Sequence, residues 1–104
     1  MRIVVCYDIS DTKRRNEVAK ILEGHGYRVQ YSVFECDLKK EQLERLQQRL
    51  RPLVKGQEWA ESTPLGESIR FYSLCADCVK KVTVVGKDLA RSLGPVEQVE
   101  KRPG

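Results

Sequence analysis

The run "RIVVCYDI", Arg2 to Ile9, constrains the fold more than any other stretch of the chain. It is short, rich in β-branched residues and almost unbroken in its apolar character, which predicts a strand. Side chains alternate across a strand, so Ile3, Val5 and Tyr7 share one face while Val4, Cys6 and Asp8 share the other. A strand that is apolar on both faces must be covered on both.

What can cover it follows from the rest of the chain. Asp11 or Thr12 is placed to N-cap a helix running to about His25, with Val18, Ile21, Leu22 and His25 on one face and Gly24 and Gly26 as its stop. "YRVQYSVFECDL", Tyr27 to Leu38, is β-rich and too long for one strand, so it predicts two short strands with a bend near Tyr31. A second helix is expected from Lys39 to about Leu53, carrying Leu43, Leu46, Leu50 and Leu53 as its apolar stripe, with Pro52 near its end. Gly56, Pro64 and Gly66 break the segment after it into a loop. "SIRFYSLC" and "KKVTVVG" read as two more strands joined around "CADC".

The order is β-α-β-β-α-β with an extra C-terminal strand or tail, an α/β (α+β) arrangement of the ferredoxin-like kind. Both helices of that motif lie on one face of the sheet. With 104 residues the chain has room for one domain and no second layer of its own. The other face is expected to close on a second copy, as a two-fold homodimer. Asp8 would then point toward the interface rather than the helical core.

Several function classes are excluded early. No stretch approaches the roughly 20 apolar residues of a membrane span, and the N-terminal run is too short for a signal peptide. The expected location is the cytoplasm, where four cysteines should be thiols, metal ligands or redox groups rather than a disulfide framework. There is no glycine-rich phosphate cradle. The single histidine, His25, leaves no support for Ser-His or Cys-His nucleophilic chemistry. A net charge of +4 leans only slightly toward acidic partners.

The charged residues after the first strand carry the chemistry. Asp8 sits at the strand's C-terminal end; in a two-fold dimer it would approach its own copy, and two converging carboxylates need a cation or a shared proton. Mg²⁺ takes one or two carboxylates and completes its shell with water and phosphate oxygen, which suits phosphodiester hydrolysis. The competing reading has Asp8 capping a turn or pairing with Arg14 or Arg15. Lys13, Arg14 and Arg15 crowd the first turn of a helix, where the dipole disfavours cations. An anion across that helix start would reverse the sign, with Ser10 as a further donor. A solvated face with Asp8 and Asp11 as counter-charges is the alternative. Cys75 and Cys78 have metal-ligand spacing but make half a site, and Cys6 and Cys36 read as small core residues. Trp59 suits either a loop anchor or a base-stacking platform.

Together "YDI", the "D-x-K-R-R" helix start, "VAKILEGHGYRVQYSVFEC" and "IRFYSLC" resemble the CRISPR-associated protein 2 family. The likeness is densest over residues 1–38, extends to about residue 86 and does not reach the tail. It implies a ferredoxin-like domain over 1–86, dimerised through the open sheet faces. It also implies a tail, 87–104, partly exchanged as a strand with the dimer mate and unordered at its end. It implies a role in defence against phages and plasmids, in which the dimer bridges integrase subunits and holds double-stranded DNA for insertion into a repeat array. Members are also described as Mg²⁺-dependent endonucleases acting on single-stranded RNA or double-stranded DNA. On that resemblance Asp8 is the catalytic and metal-binding acid, with Tyr7, Arg15 and Phe34 as supports. Lys13, Arg14, Arg15 and Arg28 are then the nucleic-acid contacts. Where some members carry another basic residue two positions after Arg15, this chain has Glu17.

Overall fold

The first strand, β1 (Arg2–Asp8), lies inside a four-stranded antiparallel sheet of order β2-β3-β1-β4. The structure is a computed structural model and describes residues 1–55, 66–93 and 97–100. Its remaining elements are α1 (Thr12–Glu23), β2 (Gly26–Gln30), β3 (Val33–Asp37), α2 (Lys40–Leu50), β4 (Ser68–Leu74), α3 (Ala76–Lys80), β5 (Thr83–Val85) and β6 (Glu97–Glu100). The expected β-α-β-β-α-β order and its ferredoxin-like topology are both present.

Each helix begins and ends for an identifiable reason. The Asp11 carboxylate accepts the Arg14 backbone N–H at 2.9 Å and caps α1. Gly24 closes α1, its N–H reaching back to the Ile21 carbonyl while the His25 N–H takes the Leu22 carbonyl. The helix therefore stops short of His25, which instead hydrogen-bonds the Ile21 carbonyl through Nδ1. α2 starts as the Lys39 N–H donates to the Gln42 side chain at 2.8 Å, and it tightens into a 3₁₀ turn over Arg51–Leu53 that contains Pro52.

Both helices pack on one face of the sheet. Ile3, Val5, Tyr7, Phe34 and Cys36 from the strands meet Val18, Leu22, Leu46 and Leu50 from the helices, all buried. Cross-strand register sets this face: Val5 lies opposite Phe34 on one side and Phe71 on the other. Gly26 lets β2 close against β3, since a Cβ there would fall 2.3 Å from the Glu35 carbonyl oxygen and 2.6 Å from the Cys36 sulfur. That burial, with the Glu35 carboxylate nearby, pushes the Cys36 thiol up to about 11, so Cys36 acts as a small apolar core residue.

The opposite face stays open over most of its length. Val4 and Cys6 are half-buried and Asp8 is exposed. Tyr27 and Tyr72, which sit on this face by register with Glu35 and Val4, are both more than 40% exposed. At the Arg2 end, a small cavity of about 260 Å³ is lined by Arg2, Asp37, Ala76, Val79, Lys80 and Leu93, so α3 leans over that end alone. Arg2 is buried there and paired with Glu35 at 3.2 Å.

Two expectations need correction. "CADC" does not merely join two strands: Cys75 is the N-cap residue of α3, and Lys80 belongs to that helix rather than to a strand beginning there. The strand expected over "KKVTVVG" shrinks to Thr83–Val85, paired in parallel with β6. A five-residue helix has too few positions for apolar periodicity to reveal it. Most of the expected loop with Trp59, and the last four residues of the tail, lie outside the described residues.

Candidate metal and nucleic-acid site

The two acids at the end of β1 turn out to have separate jobs. Asp11 caps α1. Asp8, three residues earlier, is exposed on the open face and meets no hydrogen-bond donor or cation among the described residues. Ser68, the first residue of β4, lies opposite it. A carboxylate with its lone pairs free at the rim of a sheet fits one of the one or two that Mg²⁺ takes. Among the described residues no three His, Cys, Asp or Glu side chains stand close enough together to hold a metal ion. Any such site built on Asp8 therefore draws its remaining ligands from outside the described residues.

The three cations of the helix start are also divided. Lys13 is exposed at the surface. Arg14 does not reach outward. Its guanidinium pairs with both carboxylate oxygens of Glu67, Nη2 to Oε2 at 2.9 Å, and Nη1 also donates to the Leu53 carbonyl at 2.9 Å. Glu67 collects further donors: the Ser10 hydroxyl at 2.6 Å, the Ser10 N–H at 3.0 Å and the Lys55 N–H at 3.0 Å. The Arg14 guanidinium, helped by Ser10 and Lys55, holds the Glu67 carboxyl well below the usual carboxylate range. Both side chains are largely shielded, at 18% and 10% exposure. This knot ties the start of α1, the end of the α2 segment and the approach to β4 into one corner. The expectation that Arg14 lies free for phosphate is corrected accordingly, as is the alternative that Asp8 pairs with Arg14 or Arg15.

Arg15 braces the strand end from the other side. Nη1 donates to the Ile9 carbonyl at 3.1 Å and Nη2 to Thr12 Oγ1 at 3.2 Å. Arg15 thus holds the backbone just beyond Asp8 in place. Tyr7, on the helical face, is buried and stacks on Phe34 at 6.3 Å between ring centroids. Its hydroxyl donates to the Tyr31 carbonyl at 3.4 Å and accepts from Arg28 at 3.3 Å. Arg28 is exposed, lies over the Tyr31 and Phe34 rings at 5.2 and 5.6 Å, and donates through Nε to the Tyr31 carbonyl. Tyr7, Phe34 and Arg28 form one cluster beneath the sheet, on the side of β1 away from Asp8. They support the strand from below and do not share its open face.

Glu67 is the residue that sequence reasoning missed. It lies 53 positions from Arg14, beyond the loop. The available signal was the strand register: once Ser68 is set opposite Asp8, the residue before it must stand beside Ser10 and the first turn of α1. Cys75 and Cys78 are exposed and adjacent, with the Cys78 N–H donating to Cys75 Sγ at 3.4 Å. That bond and the neighbouring thiol lower the Cys75 thiol, and the nearby Cys75 sulfur raises Cys78. No third ligand joins them among the described residues.

Comparison with known proteins gives a consistent result. The family described as CRISPR associated protein Cas2 matches residues 1–82. CRISPR-associated endoribonuclease Cas2 1 of Chloroflexus aurantiacus is 42% identical over 86 residues, covering 83% of this chain and 85% of that one. CRISPR-associated endoribonuclease Cas2 3 of Synechocystis sp. is 43% identical over 84 residues, 81% and 83% of the two chains. Among solved structures, Streptococcus pyogenes Cas2 superposes with a TM-score of 0.65 at 32% identity over 83% of this chain and all of that one. A chain of a partial Cas6-RT-Cas1–Cas2 complex superposes with a TM-score of 0.60 at 31% identity, over 76% and 83%.

Proposed function

Because the chain belongs to the CRISPR associated protein Cas2 family, we propose that it acts in CRISPR adaptation as a two-fold dimer that binds integrase subunits and double-stranded DNA. The observation that carries this reading is the open sheet face. Its apolar and aromatic residues, Val4, Cys6, Tyr27 and Tyr72, remain partly exposed, whereas Ile3, Val5, Tyr7 and Phe34 on the opposite face are buried. Aromatic side chains left at a sheet surface are the composition of an interface core. The similarity to a chain of a complex that contains Cas1 and Cas2 supports an integrase partner. Static light scattering should give twice the chain mass at micromolar concentration, and purified integrase should co-elute with the dimer at low salt. A monomer, or no association at low salt, would refute the reading.

A second reading is favoured by Asp8. Its free, exposed carboxylate is poised for a divalent cation, and the two relatives above are named endoribonucleases. In this reading Asp8 holds Mg²⁺, Arg15 fixes the strand end behind it, and the Tyr7, Phe34 and Arg28 cluster stiffens β1 from beneath. A bound Mg²⁺ would supply charge neutralisation at the phosphate and an activated water. Asp8→Asn keeps the shape and removes the charge, so it should leave the dimer intact and abolish chelator-sensitive cutting of single-stranded RNA or double-stranded DNA. Cutting that survives in Asp8→Asn would remove Asp8 from the site.

A further inference from the structure

If Asp8 marks a phosphodiester site, a cation must meet the phosphate near it. Arg14 is locked to Glu67 and Arg15 to the Ile9 carbonyl, so the obvious candidates are engaged elsewhere. β4 supplies another. Arg70 lies opposite Cys6 in a register where Ser68 lies opposite Asp8. Arg70 therefore shares the face of Asp8 and is its diagonal neighbour, a spacing of roughly 7–8 Å that a long side chain spans.

The four strands place two arginines on this face. Arg2, at the far end, is buried beneath α3 and paired with Glu35. Arg70 is exposed and meets no carboxylate among the described residues; its Nη1 donates to the Tyr72 hydroxyl at 3.4 Å. That single bond orients the guanidinium and leaves the rest of its donor fork free. β4 is also the outer strand of the sheet. A dimer that closes over β1 leaves β4 at its rim, where charge is tolerated and ligands have access.

We propose that Arg70 is the phosphate-binding residue of the Asp8 face, taking a backbone phosphate of a nucleic acid laid across the end of β1 and β4. A guanidinium suits this role because its planar fork matches two phosphate oxygens at once. The contact is electrostatic and independent of base sequence, and the inference rests on the reading of Asp8's face as the functional one.

Fluorescence anisotropy in chelator, so that binding is read without cutting, tests it with labelled single-stranded RNA and labelled duplex DNA. Arg70→Ala should flatten the dependence of log affinity on log salt by about 0.7 on the single strand or about 0.9 on the duplex. The arm that responds identifies the ligand. Arg70→Lys should restore the slope, and light scattering should find every variant dimeric. Arg49→Ala, an exposed cation on α2, should leave the slope alone. The proposal is overturned if Arg70→Ala keeps the wild-type slope in both arms. Equal losses from Arg70→Ala and Arg49→Ala would overturn it too, as would dissociation of the Arg70→Ala dimer, since Arg70 would then be pairing with the second copy. Wild type that binds neither nucleic acid at low salt would defeat the functional reading itself, whereas wild-type binding with an unaffected Arg70→Ala defeats this inference alone.

Discussion

On one side of β1, Ile3 and Val5 are fully buried and Tyr7 nearly so, beneath two helices of the same chain. On the other side, Val4 and Cys6 are half-buried and Asp8 is exposed. Seven consecutive residues thus face two different environments, although five of the seven are apolar or aromatic. The helical face is finished by local means: capped helices, a leucine stripe and a tight β2–β3 hairpin. The open face has the composition of a core and the accessibility of a surface. A chain this short gains little from leaving apolar strand residues in water, so the difference argues that the open face is shaped for contact rather than for folding.

The sharpest way to break that comparison is to cut into both faces. Phe34 is fully buried at the centre of the helical core. Phe34→Ala should cost about 3–5 kcal/mol in urea unfolding, through lost burial and the cavity left behind. Val4→Ala, on the half-buried face, should cost far less at concentrations where the protein is monomeric. Similar losses at both sites would mean that the open face is already part of the folding core. Val4→Glu tests the other half. Glu35 already stands opposite Val4, and two-fold symmetry would bury the new charge twice. An unpaired buried carboxylate costs several kcal/mol, so the dimer should weaken by about a hundredfold or more while the fold survives. Sedimentation equilibrium reads this directly, and an unweakened dimer would move the interface elsewhere.

The Arg14–Glu67 knot sharpens the comparison at the corner between the faces. Glu67 has a folded-state pKa below its unfolded one, so its contribution to stability is full above the ordinary carboxylate range, near pH 4.3, and declines as pH falls from there toward the folded value. The urea midpoint of Glu67→Gln should therefore trail wild type most at pH 7, with the gap narrowing below about pH 4. A gap that stays constant with pH would show that the carboxylate's charge is not what holds the corner.

The knot also marks the limit of what the residue pattern conveys. The β-α-β-β-α-β order was legible because β1, α1 and α2 each repeat their apolar residues with a clear period, and because Asp11 and Gly24 bracket α1. The division between the faces was legible in β1 alone, from alternation. Partner choice across the fold was not. "KRR" reads as a block of free positive charge, yet Arg14 is engaged by a glutamate beyond the loop and Arg15 by a carbonyl six residues back. Arginine gives no local sign of what it will pair with, since long-range pairs depend on strand register rather than on neighbours. Arg70 escaped notice for the same reason: inside "SIRFYSLC" it is one polar residue on an alternating strand, and only the register with β1 sets it beside Asp8.

The smallest expected effect separates the two aspartates. Asp11 accepts the Arg14 N–H and also lies 3.8 Å from the Arg14 Nε. Asp11→Ala removes the cap of α1 and should cost about 1 kcal/mol, the usual value for an N-cap carboxylate. Asp8 caps nothing and bonds nothing among the described residues, so Asp8→Asn should change monomer stability by less than about 0.5 kcal/mol, as exposed substitutions do. In the dimer the sign can reverse. If the two Asp8 carboxylates converge, removing both charges relieves their repulsion, and Asp8→Asn should tighten the dimer in chelator. Added Mg²⁺ should then tighten the wild-type dimer and leave Asp8→Asn unaffected, because only the wild type offers carboxylates to the ion. Equal dimer affinity for the two proteins, with and without Mg²⁺, would place the Asp8 side chains apart and confine any metal site to one chain. An Asp8→Asn loss as large as that of Asp11→Ala would make Asp8 a structural residue, and β1 would then have no residue reserved for function on its open face.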